Sequence, residues 1–140
     1  MRNGSLIRRA GGAVQRGYTL IELIIVMAII SVLLAVAVPF YTKAIARTKE
    51  SLLRQNLFTL RTVIDEYTFD KKAAPQRLDD LVQAGYLRAV PIDPITGNDR
   101  SWRIIMEDAI TSVDQTQPGI SDVRSGSDLR SLEGTLYSEW

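Results

Sequence analysis

One carboxylate stands almost at the start of a long apolar segment, and this feature constrains the chain more than any other. Glu22 precedes the run from Leu23 to Val38, in which Ser31 is the only polar residue. A charge deep in a bilayer costs about 2.5–3.5 kcal/mol, and such a residue is by default functional and has a partner. A cut after Gly17 would create an α-amine close to this acid, and the amine of a neighbouring copy would be a natural partner. The arrangement predicts a polymer rather than an enzyme.

The composition excludes several kinds of chemistry. The 140 residues include no Cys and no His, so neither a disulfide framework nor most zinc, haem and Ser-His or Cys-His chemistry is available. Residues 1–17 hold four of the 17 basic side chains and no acid, which leaves 13 basic and 16 acidic side chains beyond them. No basic stripe there is interleaved with aromatic residues, so a nucleic-acid surface is not predicted.

Two simpler explanations of the N-terminal segment are a secretory signal peptide and a plain membrane anchor. A signal peptide has no use for Glu22, and no small-residue cleavage site follows Val38. The 24 residues from Tyr18 to Tyr41 are long enough to cross a hydrocarbon core of about 30 Å, and the arginines before them would hold the N-terminus in the cytoplasm. A plain anchor, however, explains neither Glu22 nor the glycine before Tyr18.

The segment from Gly17 to Leu23, Gly-Tyr-Thr-Leu-Ile-Glu-Leu, resembles the processing site of type IV pilins and type II secretion pseudopilins. The resemblance implies that a prepilin peptidase cuts after Gly17 and methylates the new N-terminus at Tyr18. It also implies that Glu22 pairs with the amine of a neighbouring subunit during assembly. Pro39, at a position where this family often has a proline, would let the helix stretch inside a filament.

The same resemblance implies a location and partners. The subunit would be a single-pass protein of the bacterial inner membrane with a cytoplasmic N-terminus and a periplasmic C-terminal head, and it would later join the pseudopilus. Its partners would be the peptidase and N-methyltransferase, other copies of itself, minor pseudopilins, the inner-membrane assembly platform and the membrane, and no nucleic acid.

Beyond Pro39 the pattern becomes amphipathic and continues the helix. One apolar stripe repeats at helical spacing, and the charged residues, Glu50 among them, are assigned to other faces. The helix, about 50 residues long, is predicted to end before Pro75, because the residue before a proline avoids the helical region. The stripe comprises Leu53, Leu57, Leu60, Ile64 and Tyr67.

The remaining residues predict a small head, so the fold class is α+β: a long N-terminal helix packed on a small antiparallel sheet. A short helix near Leu78 is expected to stop at Gly85. Strands are predicted from Trp102 to Met106 and from Ile120 to Arg124, with a third near Ala109–Val113. The predicted division is a leader at 1–17, a transmembrane and assembly helix at 18–41, an amphipathic helix at 42–72 and a head at 73–140.

The head also resembles that of the major, G-type pseudopilins, in Gly85-Tyr86-Leu87, in the segment from Val90 to Gly97 and in the last residues from Asp122 to Trp140. In that group a calcium ion holds the C-terminal loop. By resemblance the ligands would be Ser125, Asp128 and Glu133, although a polar loop with solvated acids is the simpler explanation.

The preferred function is a structural subunit of a type II secretion pseudopilus that polymerises through its N-terminal helix. A type IV pilin for adhesion, motility or DNA uptake is the first alternative, and the lack of Cys favours the secretion subunit, because many pilins close their last loop with a disulfide. A membrane-anchored binding module is the second alternative. No catalytic residues are predicted.

Overall fold

A computed structural model describes residues 17–108 and 116–140 of the chain. Two helices, two strands and a short 3₁₀ helix follow in the order α1 (Leu20–Lys71), α2 (Leu78–Gln83), β1 (Arg103–Met106), β2 (Ile120–Arg124) and the 3₁₀ helix (Tyr137–Glu139). The chain divides into two compact units, with the boundary between Pro39 and Phe40. The predicted α+β fold class, a long helix with a small antiparallel sheet, is confirmed.

The first unit contains the apolar part of α1. Every residue from Leu20 to Val38 is exposed in the isolated chain. Pro39 lies inside α1, and the helix continues beyond it. The hydroxyl of Ser31 donates to the carbonyl oxygen of Met27 at 2.8 Å, so the one polar side chain in the apolar run finds its partner within the helix.

The second unit, Phe40–Trp140, has its core on one face of α1. The predicted stripe is confirmed: its first four residues are at most 2 % exposed, and Tyr67 packs against them while partly buried. The core is completed by Val63, Leu81, Trp102, Ile120, Val123 and Tyr137. The assignment of Glu50 to another face was wrong, since this residue is only 8 % exposed.

The end of α1 and the short second helix follow the predicted signals. α1 ends at Lys71, just before Lys72, whose φ of 57° is left-handed, and the chain then turns through the buried Ala74 and Pro75. The carboxylate of Asp80 accepts the backbone N–H groups of Gln76 and Arg77, which fixes the start of α2. Gly85, with φ of 85°, follows the end of α2 as predicted.

The sheet has two antiparallel strands among the described residues. β1 pairs with β2 from Arg103 opposite Arg124 to Met106 opposite Ile120, with an irregularity between Ile105 and Met106. Both strands lie where the sequence predicted them, although β1 begins one residue later, at Arg103, after the buried Trp102. The third predicted strand, near 109–113, falls outside the described residues.

Candidate functional site

The first turn of α1 positions Glu22 beside a threonine cap. Thr19 precedes the helix; its carbonyl oxygen accepts the N–H of Leu23 and its Oγ1 accepts the N–H of Glu22, both at 3.2 Å. Threonine followed three residues later by glutamate is a common sequence signal for a helix start, and a carboxylate in the first turn interacts favourably with the helix dipole. This role of Thr19 was not predicted, although the Thr-x-x-Glu signal is present in the sequence.

The predicted processing residues lie just outside the helix. Gly17 and Tyr18 are both exposed, and Tyr18 is 85 % exposed. A Cβ built on Gly17 would have no heavy atom within 4 Å apart from its chain neighbours. The bond between these two residues is therefore accessible in the described part of the chain.

The Glu22 side chain is exposed and has no hydrogen bond or ion pair with another described residue. Only its backbone N–H is engaged, by Thr19. The carboxylate is therefore available for a partner from outside the described chain.

The apolar part of α1 is the largest exposed hydrophobic surface described. An 18-residue window of the helix has a mean hydropathy of 3.0 and none of it is buried. By length and composition, α1 is the one helix in residues 17–108 and 116–140 that could cross a membrane. Such a surface needs either lipid or other apolar helices around it, because exposed apolar patches of this size are rare in soluble monomers.

The three predicted calcium ligands engage three separate partners. The hydroxyl of Ser125 is buried and donates to Asp93 at 2.6 Å. Asp128 accepts two hydrogen bonds from Arg103, at 2.8 and 2.9 Å. Glu133 lies 3.7 Å from Arg54. Each of the three residues therefore already has a different partner within the chain.

This arrangement does not fit a calcium ion. Calcium needs six to eight converging oxygens, and here a guanidinium lies beside each of the two carboxylates. No group of three or more acidic side chains close enough to hold a metal occurs in the described residues. Calcium binding remains a prediction from the resemblance alone.

Side chains of α1 hold the C-terminal tail instead. Glu50 Oε1 accepts the backbone N–H of Leu132 at 2.7 Å and the hydroxyl of Tyr137 at 2.9 Å. Arg61 donates through Nη2 to the carbonyl oxygens of Val123 and Trp140, at 3.1 and 3.0 Å. Its Nε donates to Asp122 at 2.7 Å.

Arg54 adds a third contact on the same helix. Its guanidinium lies 4.4 Å from the centre of the Trp140 ring, and the same side chain faces Glu133. Trp140 packs edge-to-face on Tyr137 and is partly buried against the core. We call Glu50, Arg54 and Arg61 with these contacts the tail clasp.

The buried end of the tail clasp changes the acidity of a phenol. Burial, and then the hydrogen bond to Glu50, raises the pKa of Tyr137 to about 12. The neutral phenol is therefore the form that donates to the carboxylate in the folded chain.

A second buried carboxylate, also missed from the sequence, organises the turn before β1. Asp93 is fully buried and accepts hydrogen bonds from the N–H groups of Ile95 and Thr96 as well as from Ser125 and the N–H of Gly126. The Pro-Ile-Asp-Pro-Ile-Thr-Gly segment signals a turn in which an aspartate bonds to the backbone two residues later. No local pattern indicates that Ser125 and Gly126 would reach the same carboxylate.

Comparison with known proteins agrees with the N-terminal geometry. Residues 13–38 match the family described as "Prokaryotic N-terminal methylation motif". Competence protein ComGC of Halalkalibacterium halodurans is 37 % identical over 73 residues, covering 52 % of this chain and 72 % of that protein. The chain belongs to the type IV pilin-like family.

Other relatives of this pilin-like chain match it over only part of their own length. The type IV major fimbrial protein FimA of Dichelobacter nodosus is 44 % identical over 62 residues, which is 44 % of this chain and 40 % of that protein. The type IV major pilin protein PilA of Myxococcus xanthus is 32 % identical over 114 residues, 81 % of this chain and 43 % of that protein. The chain thus spans about two fifths of the fimbrial relatives it matches. No solved structure matches significantly.

These relatives are named as pilins, fimbrial proteins and a competence protein, and not as enzymes. The matched motif is described as one of N-terminal methylation, as expected for a pilin-like subunit. The exposed apolar helix is consistent with a membrane-anchored form of that subunit.

The geometry of the tail predicts how the pilin-like chain responds to calcium. Because arginines lie beside Asp128 and Glu133, we expect the melting temperature of the purified protein to be the same in millimolar calcium and in a chelator. Thermal melting followed by circular dichroism measures this. A calcium-dependent rise that is lost in Asp128→Asn but kept in Asp79→Asn, an exposed control, would show that the resemblance gives the better prediction.

Proposed function

We propose that this chain is the structural subunit of a filament, and that it polymerises through the apolar part of α1 after cleavage behind Gly17 and methylation of Tyr18. The observation that carries the proposal is Glu22. It is an acid without a partner among the described residues, in the first turn of a wholly exposed apolar helix. In this proposal residues 1–17 are the leader, 18–41 the membrane and assembly helix, 42–72 the amphipathic helix and 73–140 the head.

The energetics favour exchange of lipid for protein around the apolar helix. Lipid contacts of α1 are replaced by packing against the helices of neighbouring copies. In lipid the Glu22 carboxylate has no counter-ion, whereas the cleaved amine of an adjacent copy supplies one in the filament. The charge that opposes residence in the bilayer therefore favours assembly.

Within that function, we assign the chain to a type II secretion pseudopilus, anchored in the inner membrane with its head in the periplasm. The support is the resemblance of the head to the G-type subunits and the absence of Cys in all 140 residues. Minor pseudopilins and the assembly platform would then be its partners, with Pro39 as the point where the helix stretches in the filament.

A type IV pilus is the second candidate, and the names of the relatives favour it, because they are major pilins and fimbrial proteins. Deletion of the gene separates the two candidates. Accumulation of exoproteins in the periplasm with surface pili unchanged supports the secretion subunit. Loss of surface pili, twitching or DNA uptake with secretion intact assigns the chain to a pilus.

Processing provides the direct test of the subunit function. Gly17→Arg should keep the leader, because the peptidase needs the small residue before the cut, whereas the unaltered protein should begin at methylated Tyr18. Mass spectrometry of the N-terminal peptide measures both. Gly12→Arg, within the leader, is the matched control and should be cleaved normally.

A mature N-terminus at any other residue would contradict the proposal. If the uncleaved Gly17→Arg protein kept its full biological activity, a membrane-anchored binding module would explain the chain better.

A further inference from the structure

Four exposed cations are found near the point where the chain enters the second unit. Lys43, Arg47 and Lys49 are on the first turns of α1 within that unit, and Arg130 is in the tail. We call them the basic collar. All four are exposed, and none forms an ion pair with another residue in the described ranges.

The acids near the basic collar already have other partners. Glu50 is buried and accepts two hydrogen bonds from the tail. Asp128 is bound by Arg103, and Glu133 faces Arg54. No acid occurs between Glu22 and Glu50 in the sequence. The positive charge of the collar is therefore not neutralised locally.

The cations of the basic collar lie on more than one side of the helix, and apolar residues lie beside them. At 3.6 residues per turn, Arg47 is about 40° and Lys49 about 240° around the helix from Lys43. Lys49 and Arg130 line a cleft of about 300 Å³ together with Leu129, whose side chain is 65 % exposed. Cations on two sides of one helix can contact a layer of lipid headgroups at the same time.

The position of the basic collar in the sequence indicates that this layer is the surface of a membrane. Phe40 and Tyr41 come directly after Pro39 and before Lys43, and aromatic residues followed by Lys or Arg are typical of a membrane interface. We propose that the basic collar binds the phosphate groups of anionic phospholipids, with Leu129 inserted among them. The collar thus holds the head of the unassembled subunit against the bilayer surface. This inference rests on the proposed membrane-anchored subunit.

The inference is tested with the whole protein in nanodiscs. Because the chain has no Cys, Leu129→Cys gives one attachment point for a fluorophore, and lipids with a spin label on the headgroup quench it on contact. Quenching should be stronger in phosphatidylcholine discs that contain phosphatidylglycerol than in pure phosphatidylcholine. It should fall in 1 M salt, where the screening length is about 3 Å.

Two variants with equal changes in charge give the comparison. Each cation near an anionic surface strengthens docking about fivefold, so removal of all four should abolish the effect of phosphatidylglycerol. The matched control removes four exposed cations elsewhere in the second unit and should behave as the parent protein. The test variant is Lys43→Gln, Arg47→Gln, Lys49→Gln, Arg130→Gln, and the control is Lys71→Gln, Lys72→Gln, Arg88→Gln, Arg100→Gln.

Three results would overturn the inference. The first is equal quenching in both kinds of disc, and the second is an equal loss of phosphatidylglycerol-dependent quenching in the test and control variants. The third is energy transfer between two copies that depends on the collar and occurs without quenching by lipid, which would assign the collar to a second copy. Resistance to alkaline extraction from vesicles is measured in parallel. If alkali extracts the chain, the proposed membrane-anchored subunit is contradicted. If the chain stays inserted but its quenching is the same with and without phosphatidylglycerol, only the proposed lipid binding by the basic collar is contradicted.

Discussion

A Glu22→Ala variant is expected to insert into the membrane as well as the parent chain and to form no filaments. Insertion should not suffer, because the change removes the only charge in the apolar segment. Assembly should fail, because the amine of the neighbouring subunit would be left buried without a counter-ion, at a cost of about 3–5 kcal/mol per contact. Fractionation measures insertion, and electron microscopy of sheared filaments measures assembly.

The threonine cap makes a second variant necessary. Thr19 Oγ1 accepts the N–H of Glu22, so a change at Glu22 could act by loosening the first turn of α1 rather than by removing an intermolecular partner. Thr19→Ala removes the cap at a cost of about 1 kcal/mol and leaves the carboxylate in place. We expect it to form filaments.

The two variants together discriminate between the roles. Loss of filaments in Thr19→Ala as well would indicate that the helix start, and not the charge, controls assembly. Normal filaments from Glu22→Ala would contradict the proposed function. Glu22→Gln, which is nearly the same size without the charge, should fail as Glu22→Ala does.

Elements with a local signal were predictable from the sequence. α1 has a continuous apolar or amphipathic pattern and a proline after its end, β1 contains an apolar run, and β2 has two apolar residues after a Pro-Gly turn. Gly85 ends α2 because a left-handed φ follows the helix there. Each of these depends on residues within a few positions of one another.

Contacts between distant segments were not predictable in the same way. Glu50 follows the spacing of the buried stripe, three residues before Leu53, but its charge placed it with the solvent-exposed residues. It is buried because a backbone N–H and a hydroxyl from residues more than 80 positions away bind it. Arg61 likewise meets carbonyl oxygens that only the folded tail brings near. A charged residue at a core position was the one available signal.

The tail clasp gives the second large expected effect. In Glu50→Ala, the partly buried N–H of Leu132 and the buried hydroxyl of Tyr137 lose their acceptor. Each unsatisfied buried donor costs about 1–3 kcal/mol, so we expect a loss of about 3 kcal/mol in the free energy of unfolding of the second unit. For a domain of this size that corresponds to a fall of roughly 10–20 °C in melting temperature.

The free energy of unfolding at alkaline pH depends on the same contacts. Because the folded pKa of Tyr137 lies near 12, above its ordinary value of 10.0, its contribution is complete below pH 10 and is lost as the pH rises toward 12. Unfolding of the parent protein should therefore become easier over that interval, and Tyr137→Phe should remove this part of the pH dependence. An unchanged alkaline profile in Tyr137→Phe would show that another group is responsible.

A matched variant and a local measurement decide whether Glu50 acts through the tail. Glu66→Ala removes an exposed acid from the same helix and should change stability by no more than about 0.5 kcal/mol. Hydrogen exchange at the amide of Leu132 should become faster in Glu50→Ala under native conditions, because that N–H loses its bond to the carboxylate. Slow exchange at Leu132 together with a lowered melting temperature would contradict the tail clasp, since Glu50 would then stabilise the core without holding the C-terminal segment on α1.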